Sequence, residues 1–150
     1  MHGALRAIPV GLVAGLCAAV LLYHLIGDVS TASALAEGIR AHEPPVVGWP
    51  GALLAAAGLG GCGTAVVRGW ALASPVVLCV LAGLLVGWAG RVMTAASIGA
   101  NIGGGLMLGF GLPLAALLVL AAVVTAGVVA RRRAQSEAST SKSDPSATAR

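Results

Sequence analysis

His24 and Asp28 stand four residues apart, a spacing that on a helix sets an imidazole and a carboxylate on one face, and His42 with Glu43 repeats the same two residue types. Imidazole nitrogen and carboxylate oxygen are ligands for divalent transition metals, and histidine also exchanges protons near neutral pH. A metal site or proton relay would have to be built from these four. The competing reading makes each histidine an amphipathic anchor at a membrane edge, so the sequence predicts no metal centre and no cofactor.

Arg91 and Asn101 are the second polar pair, set among apolar and small residues where they could line a path for an anion. A guanidinium at the centre of a bilayer costs about 2.5 to 3.5 kcal/mol on insertion scales, so Arg68 and Arg91 are expected at span edges, reaching for headgroups. No acidic residue falls deep in an apolar run. Cys17, Cys62 and Cys79 each lie inside such a run without C-x-x-C spacing, which predicts packing roles rather than zinc ligation or disulfides. Gly58-Leu59-Gly60-Gly61-Cys62-Gly63 matches G-x-G-x-x-G, but no strand precedes it and no acid follows about twenty residues on. Dinucleotide binding is excluded on that context. No Ser, His and acid converge by spacing, and the chain is not expected to be an enzyme.

The elements that must position these residues are read from hydropathy. Leu106 to Ala130 carries no charge and stops at Arg131, Arg132 and Arg133. About 25 residues at ~1.5 Å each reach roughly 37 Å, enough to cross a ~30 Å hydrocarbon core with some tilt. Three earlier runs, about 7–26, 51–67 and 71–89, complete an all-α integral membrane bundle of four transmembrane helices over 1–130. The composition agrees: 58% hydrophobic and 9% charged residues, with a mean hydropathy of +0.96, cannot coat a water-facing globule of 150 residues. The lipid bilayer is the first partner. The formal charge of +4 does not predict nucleic-acid binding, because the cations sit at the ends of apolar runs.

Pro9 and Pro75 are expected in the first turns of their helices, where a missing N–H does no harm. The first apolar stretch exceeds a signal-peptide core and is expected to be retained, although Ala34-Leu35-Ala36 fits an A-x-A cleavage pattern. In the polar loop 28–50, Asp28 or Ser30 caps a short interfacial helix to about Ala41, with Leu35 and Ile39 on one side and Glu37 near Arg40. The second and third spans form a hairpin through Arg68-Gly69-Trp70. The stretch 92–105, with Asn101 and three consecutive glycines, is open to three readings: an extension of the third helix, an interfacial segment, or a re-entrant one. Pro113 should bend the fourth span. Residues 131–150 read as a disordered basic cytoplasmic tail, with Ser136 three residues after Arg133 as a phosphoacceptor pattern.

Counting cations at the span ends puts Arg6, Arg68, Arg131 to Arg133, Lys142 and Arg150 on one side, and only Arg40 and Arg91 on the other. The positive-inside rule then predicts a cytoplasmic (inner) membrane protein with both termini in the cytoplasm. Tyr23, Trp49, Trp70 and Trp88 fall at span ends, where amphipathic rings sit; Phe110 lies within a span.

Small residues at four-residue spacing are the clearest interaction signal: Gly11 and Gly15, Gly83 and Gly87, Gly105 and Gly109. In lipid, close backbone approach replaces the hydrophobic drive between helices. Gly60 to Gly63 through Arg68, then Asn101 to Gly109, resembles the glycine-arginine and asparagine-glycine motifs of small fluoride channels. An additional apolar span intervenes, and with one Phe the chain has no counterpart of that family's Thr-Phe-Ser segment. The first span and Ala34 to Pro45 are similar to membrane subunits of cobalt transporters over less than half the chain. The expectation for function is an accessory or structural subunit acting through helix packing, against a membrane-protein partner or a second copy. The alternative is a small transporter or channel component for a metal cation or small anion.

Overall fold

The computed structural model describes residues 2–38, 45–68, 73–95 and 100–142, and they are all-helical in class. The elements are α1 (His2–Ile26), α2 (Ala32–Ala36), α3 (Trp49–Arg68), α4 (Ala73–Thr94), α5 (Ala100–Leu106), a π-helical turn (Met107–Gly111) and α6 (Leu112–Lys142). Four helices are long and apolar enough to cross a membrane: Ala7–Ile26, Trp49–Arg68, Ala73–Thr94 and Ile102–Glu137. Their outward faces carry large apolar side chains such as Leu16, Leu54, Leu117 and Leu120, which water could not cover.

The inward faces are built of small residues. Ala7, Ala14 and Ala18 of α1, Ala52 and Ala55 of α3, Ala82 and Ala89 of α4, and Ala115, Ala122 and Ala126 of α6 are all buried. Such a core supplies little side-chain volume, so helices must come close together to make contact.

α1 is the hub. It packs on α4, α3 and α6, while α4 also packs on α6; α3 barely touches α4. Spans two and three were expected to form a packed hairpin, and this is corrected: they are consecutive, but α1 stands between them. The reason is surface shape. Gly58 of α3 leaves room for Cys17 of α1, and the Cys62 thiol reaches the Val10 carbonyl, so the notch on α3 fits α1. Contacts run from Gly11 with Cys79 to Tyr23 with Arg91 along α1 and α4, making these two parallel. Cys17 with Gly58 and His24 with Val47 make α3 antiparallel to α1. One end of the bundle holds residues 27–38 and 45–48 (the loop end); the other holds Arg68 and Arg131 to Arg133 (the tail end).

Several local expectations change. α1 begins at His2, so Pro9 lies inside the helix rather than in its opening turn. Ala4, Leu5 and Arg6 are good helix formers, and the single bond lost is the one Pro9 cannot donate to the Leu5 carbonyl. α2 has Thr31 at its N-cap position, without a side-chain cap bond, and ends at Ala36, short of Ala41, where Gly38 takes a left-handed φ of 68°. Asp28 instead closes a local turn, its Oδ1 accepting from Ser30 N at 3.0 Å and Ser30 Oγ at 2.5 Å. Ile39, Arg40 and, beyond Arg68, the turn residues Gly69 and Trp70 lie outside the described residues.

The stretch 92–105 divides. Val92 to Thr94 finish α4, and Ala100 to Gly105 begin a helix continuous with the last span, so the glycine triplet is helical. Residues 96–99 lie outside the described residues. Just before Pro113, whose missing N–H frees a carbonyl one turn back, the helix widens into the π turn. The tail also differs: the expected disorder from residue 131 gives way to helix through Lys142, with Arg131 to Glu137 exposed. Arg, Ala, Gln, Glu and Lys propagate a helix well, and extending an existing one needs no nucleation. Residues 143–150 lie outside the described residues.

Candidate functional site

The tightest feature is the seam between α1 and α4. A Cβ at Gly83 would collide with the Gly15 carbonyl oxygen; one at Gly15 would stand 2.5 Å from the Cys79 carbonyl oxygen, and one at Gly87 2.5 Å from that of Ala19. A Cβ at Gly11 would stand 3.0 Å from the Cys79 sulfur. Gly11, Gly15 and Ala19 on one helix and Cys79, Gly83 and Gly87 on the other are four-residue ridges meeting each other, the packing typical of right-handed small-residue crossings. Two of the three glycine pairs read from spacing therefore meet in one seam. The third does not join it, since Gly105 and Gly109 have open space around the Cβ position.

At the loop end, the seam finishes in a polar cluster. Arg91, in the last turn of α4, donates through Nε to the Tyr23 carbonyl at 2.6 Å and lays its guanidinium over the Tyr23 ring, 4.0 Å from the centroid. The Tyr23 carbonyl is among the last four of α1, which have no partner within the helix, and a cation there also opposes the negative end of the helix dipole. The Tyr23 ring is 7% exposed and its hydroxyl is 3.4 Å from Thr94 Oγ1. Gly90 admits the ring, with a Cβ position only 3.3 Å from Tyr Cδ2. This is a clamp fixing the register of two parallel helices.

His24 points elsewhere. Its Nδ1 donates to the Val47 carbonyl at 2.8 Å, which assigns the proton to Nδ1, and its ring meets Trp49 edge-on with centroids 5.0 Å apart. Asp28 Oδ1 accepts from Ser30 N and Oγ. The four-residue spacing of His24 and Asp28 is not carried by one helix, because α1 ends at Ile26 and Gly27 turns the chain at φ 68°. His42 and Glu43 lie outside the described residues, and no cluster of three or more His, Cys, Asp or Glu suited to a metal occurs among the described residues. Asn101 has a helical backbone in α5; its side chain lies outside the described residues.

Sequence reasoning placed Tyr23 and Trp49 at the headgroup level but missed their partners. Tyr23 and Arg91 are 68 residues apart, and nothing in their spacing signals a meeting.

Between α1, α4 and α6 runs an open groove of about 360 Å³. Gly15, Ala19, Gly83 and Ala115 are among its floor residues, and Leu16 and Val119 stand on its walls. It lies midway along the spans.

No family model, no curated protein and no solved structure matches the chain.

Proposed function

We propose that this chain is a non-enzymatic, multi-pass protein of the bacterial cytoplasmic membrane, an accessory or structural subunit that works by packing helices against a membrane-protein partner or a second copy. The observation that supports this is the division of its glycines into two sets. Gly11, Gly15, Gly83 and Gly87 are used inside the bundle. Gly60, Gly61 and Gly63 on α3, with Gly105 and Gly109 near the π turn, have nothing within 4 Å of the Cβ position. A glycine inside a helix costs about 1 kcal/mol relative to alanine, and the bundle draws no packing from these five. On α3, Ala56, Gly60 and Thr64 are exposed at four-residue spacing, a face against which another helix can lie closely.

Orientation follows from the cations. Arg68 and Arg131 to Arg133 gather at the tail end, which the positive-inside rule assigns to the cytoplasm together with both termini. The transporter alternative rests on Gly103 to Gly105, Asn101 and the His24/Asp28 pair. The glycines are helical and His24 is bonded to the Val47 carbonyl, so the packing reading has the greater support.

The test is a double substitution, Gly60→Leu with Gly109→Leu, followed by measurement of particle mass in mild detergent and of co-purifying membrane proteins. The expected result is a wild-type particle heavier than one chain and a variant reduced to one chain with unchanged helix content. A variant that keeps the wild-type mass and partners contradicts the proposal.

A further inference from the structure

We propose that the loop-end half of the bundle binds one anionic phospholipid, with an acyl chain in the groove between α1, α4 and α6 and the phosphate on Arg91. The groove is apolar, about 360 Å³ in volume, and lined by three helices that are each long and apolar enough to cross a membrane, so what enters it sideways is hydrocarbon. Its place along the helices matches an acyl chain rather than a headgroup. Leu16 and Ala19 on α1 and Val86 on α4 mark its loop-end limit.

The cation lies just beyond that limit. Tyr23 is one helical turn past Ala19 and on the same side of α1; Gly90, against which the Tyr23 ring packs, is one turn past Val86 on the same side of α4. The ring therefore lies one turn beyond the loop end of the groove, and the Arg91 guanidinium rests 4.0 Å from the ring centroid. Arg91 is in the last turn of its helix, at the loop end of the span Ala73–Thr94.

Its geometry leaves charge to be matched. Nε is committed to the Tyr23 carbonyl, and stacking on the ring holds the guanidinium plane in place. No carboxylate is recorded against Arg91 among the described residues. Two nitrogens, Nη1 and Nη2, still carry N–H groups in the fork that fits a phosphate. A held cation one turn beyond an apolar groove has the two chemistries of an anionic phospholipid in the same order.

The experiment uses the full chain in vesicles doped with one of two photoreactive lipids, identical in chains bearing a mid-chain diazirine but anionic (phosphatidylglycerol) or zwitterionic (phosphatidylcholine) in headgroup. Peptide mapping then reads the labelling of 112–119 on α6. In wild type the anionic lipid is expected to label this stretch about fivefold more than the zwitterionic one, the factor a single cation contributes near a surface. Arg91→Gln should equalise the two. Ala116→Phe, at an exposed groove position where the added ring need not disturb the bundle, should remove the anionic excess while Arg91 is intact. Excess inorganic phosphate should leave the labelling unchanged. Equal labelling by both lipids in wild type, an excess surviving either substitution, or displacement by phosphate alone would overturn the proposal.

Discussion

Glycines in this chain do two different jobs, and the space around each Cβ position separates them. Gly83 touches the Gly15 backbone, whereas Gly109 has open space around its Cβ position. Gly83→Ala must push α1 and α4 apart, and overpacking of this kind costs about 1 to 3 kcal/mol. Gly109→Ala adds a methyl to an unoccupied face and removes the entropy penalty of glycine, so it should be neutral or stabilising by up to about 1 kcal/mol. Thermal unfolding in detergent checks both: the midpoint should fall for Gly83→Ala and hold or rise for Gly109→Ala. Equal effects would mean that the seam is not where the structure places it. Spacing alone could not make this distinction, because G-x-x-x-G reads the same whether the partner helix belongs to the bundle or not.

Helix ends were harder to read than helix centres, and each miss has a local cause. The charge-free run ending at Arg131 marks where lipid contact should stop, but a helix of good formers continues past it to Lys142. Hydropathy senses the solvent, not the backbone. Likewise Gly103 to Gly105 looked like a break, yet the helix runs through them and widens only at Met107–Gly111, next to Pro113. The proline explains the π turn: its ring occupies the space of the carbonyl four residues back, and a wider turn moves that carbonyl aside. Pro113→Ala restores an N–H that can bond to the Gly109 carbonyl, so the turn should relax to α-helix. That relaxation removes the extra residue of the wide turn and rotates α5 against α4, separating Gly103 from Val92, which now face each other. Solid-state NMR should report α-helical carbon shifts across 107–111 and loss of the Gly103–Val92 contact; an unchanged pattern would assign the π turn to another cause.

At the scale of the molecule, the four apolar helices and their rough limits were legible because about twenty uninterrupted apolar residues admit few other structures. Which helix touches which was not legible. Neighbours in sequence are the usual neighbours in space, and that rule would have paired α3 with α4. The arrangement instead depends on where small residues let backbones approach, and both the α4 seam and the α3 contact fall on α1. Removing α1 would therefore dismantle the bundle. The placement of α3 on α1 is the claim from which the position of α1 between α3 and α4 and the outward glycine face of α3 follow. The Cβ position of Gly58 lies 3.8 Å from Cys17 Cβ, within the range that a disulfide spans. With Cys62 and Cys79 changed to Ala, Gly58→Cys should oxidise with the native Cys17 under copper phenanthroline in membranes, giving an intramolecular disulfide visible as a 2 Da loss in the intact mass. A chain that remains fully reduced, while cysteines placed on facing positions of α3 and α4 cross-link readily, would contradict the account.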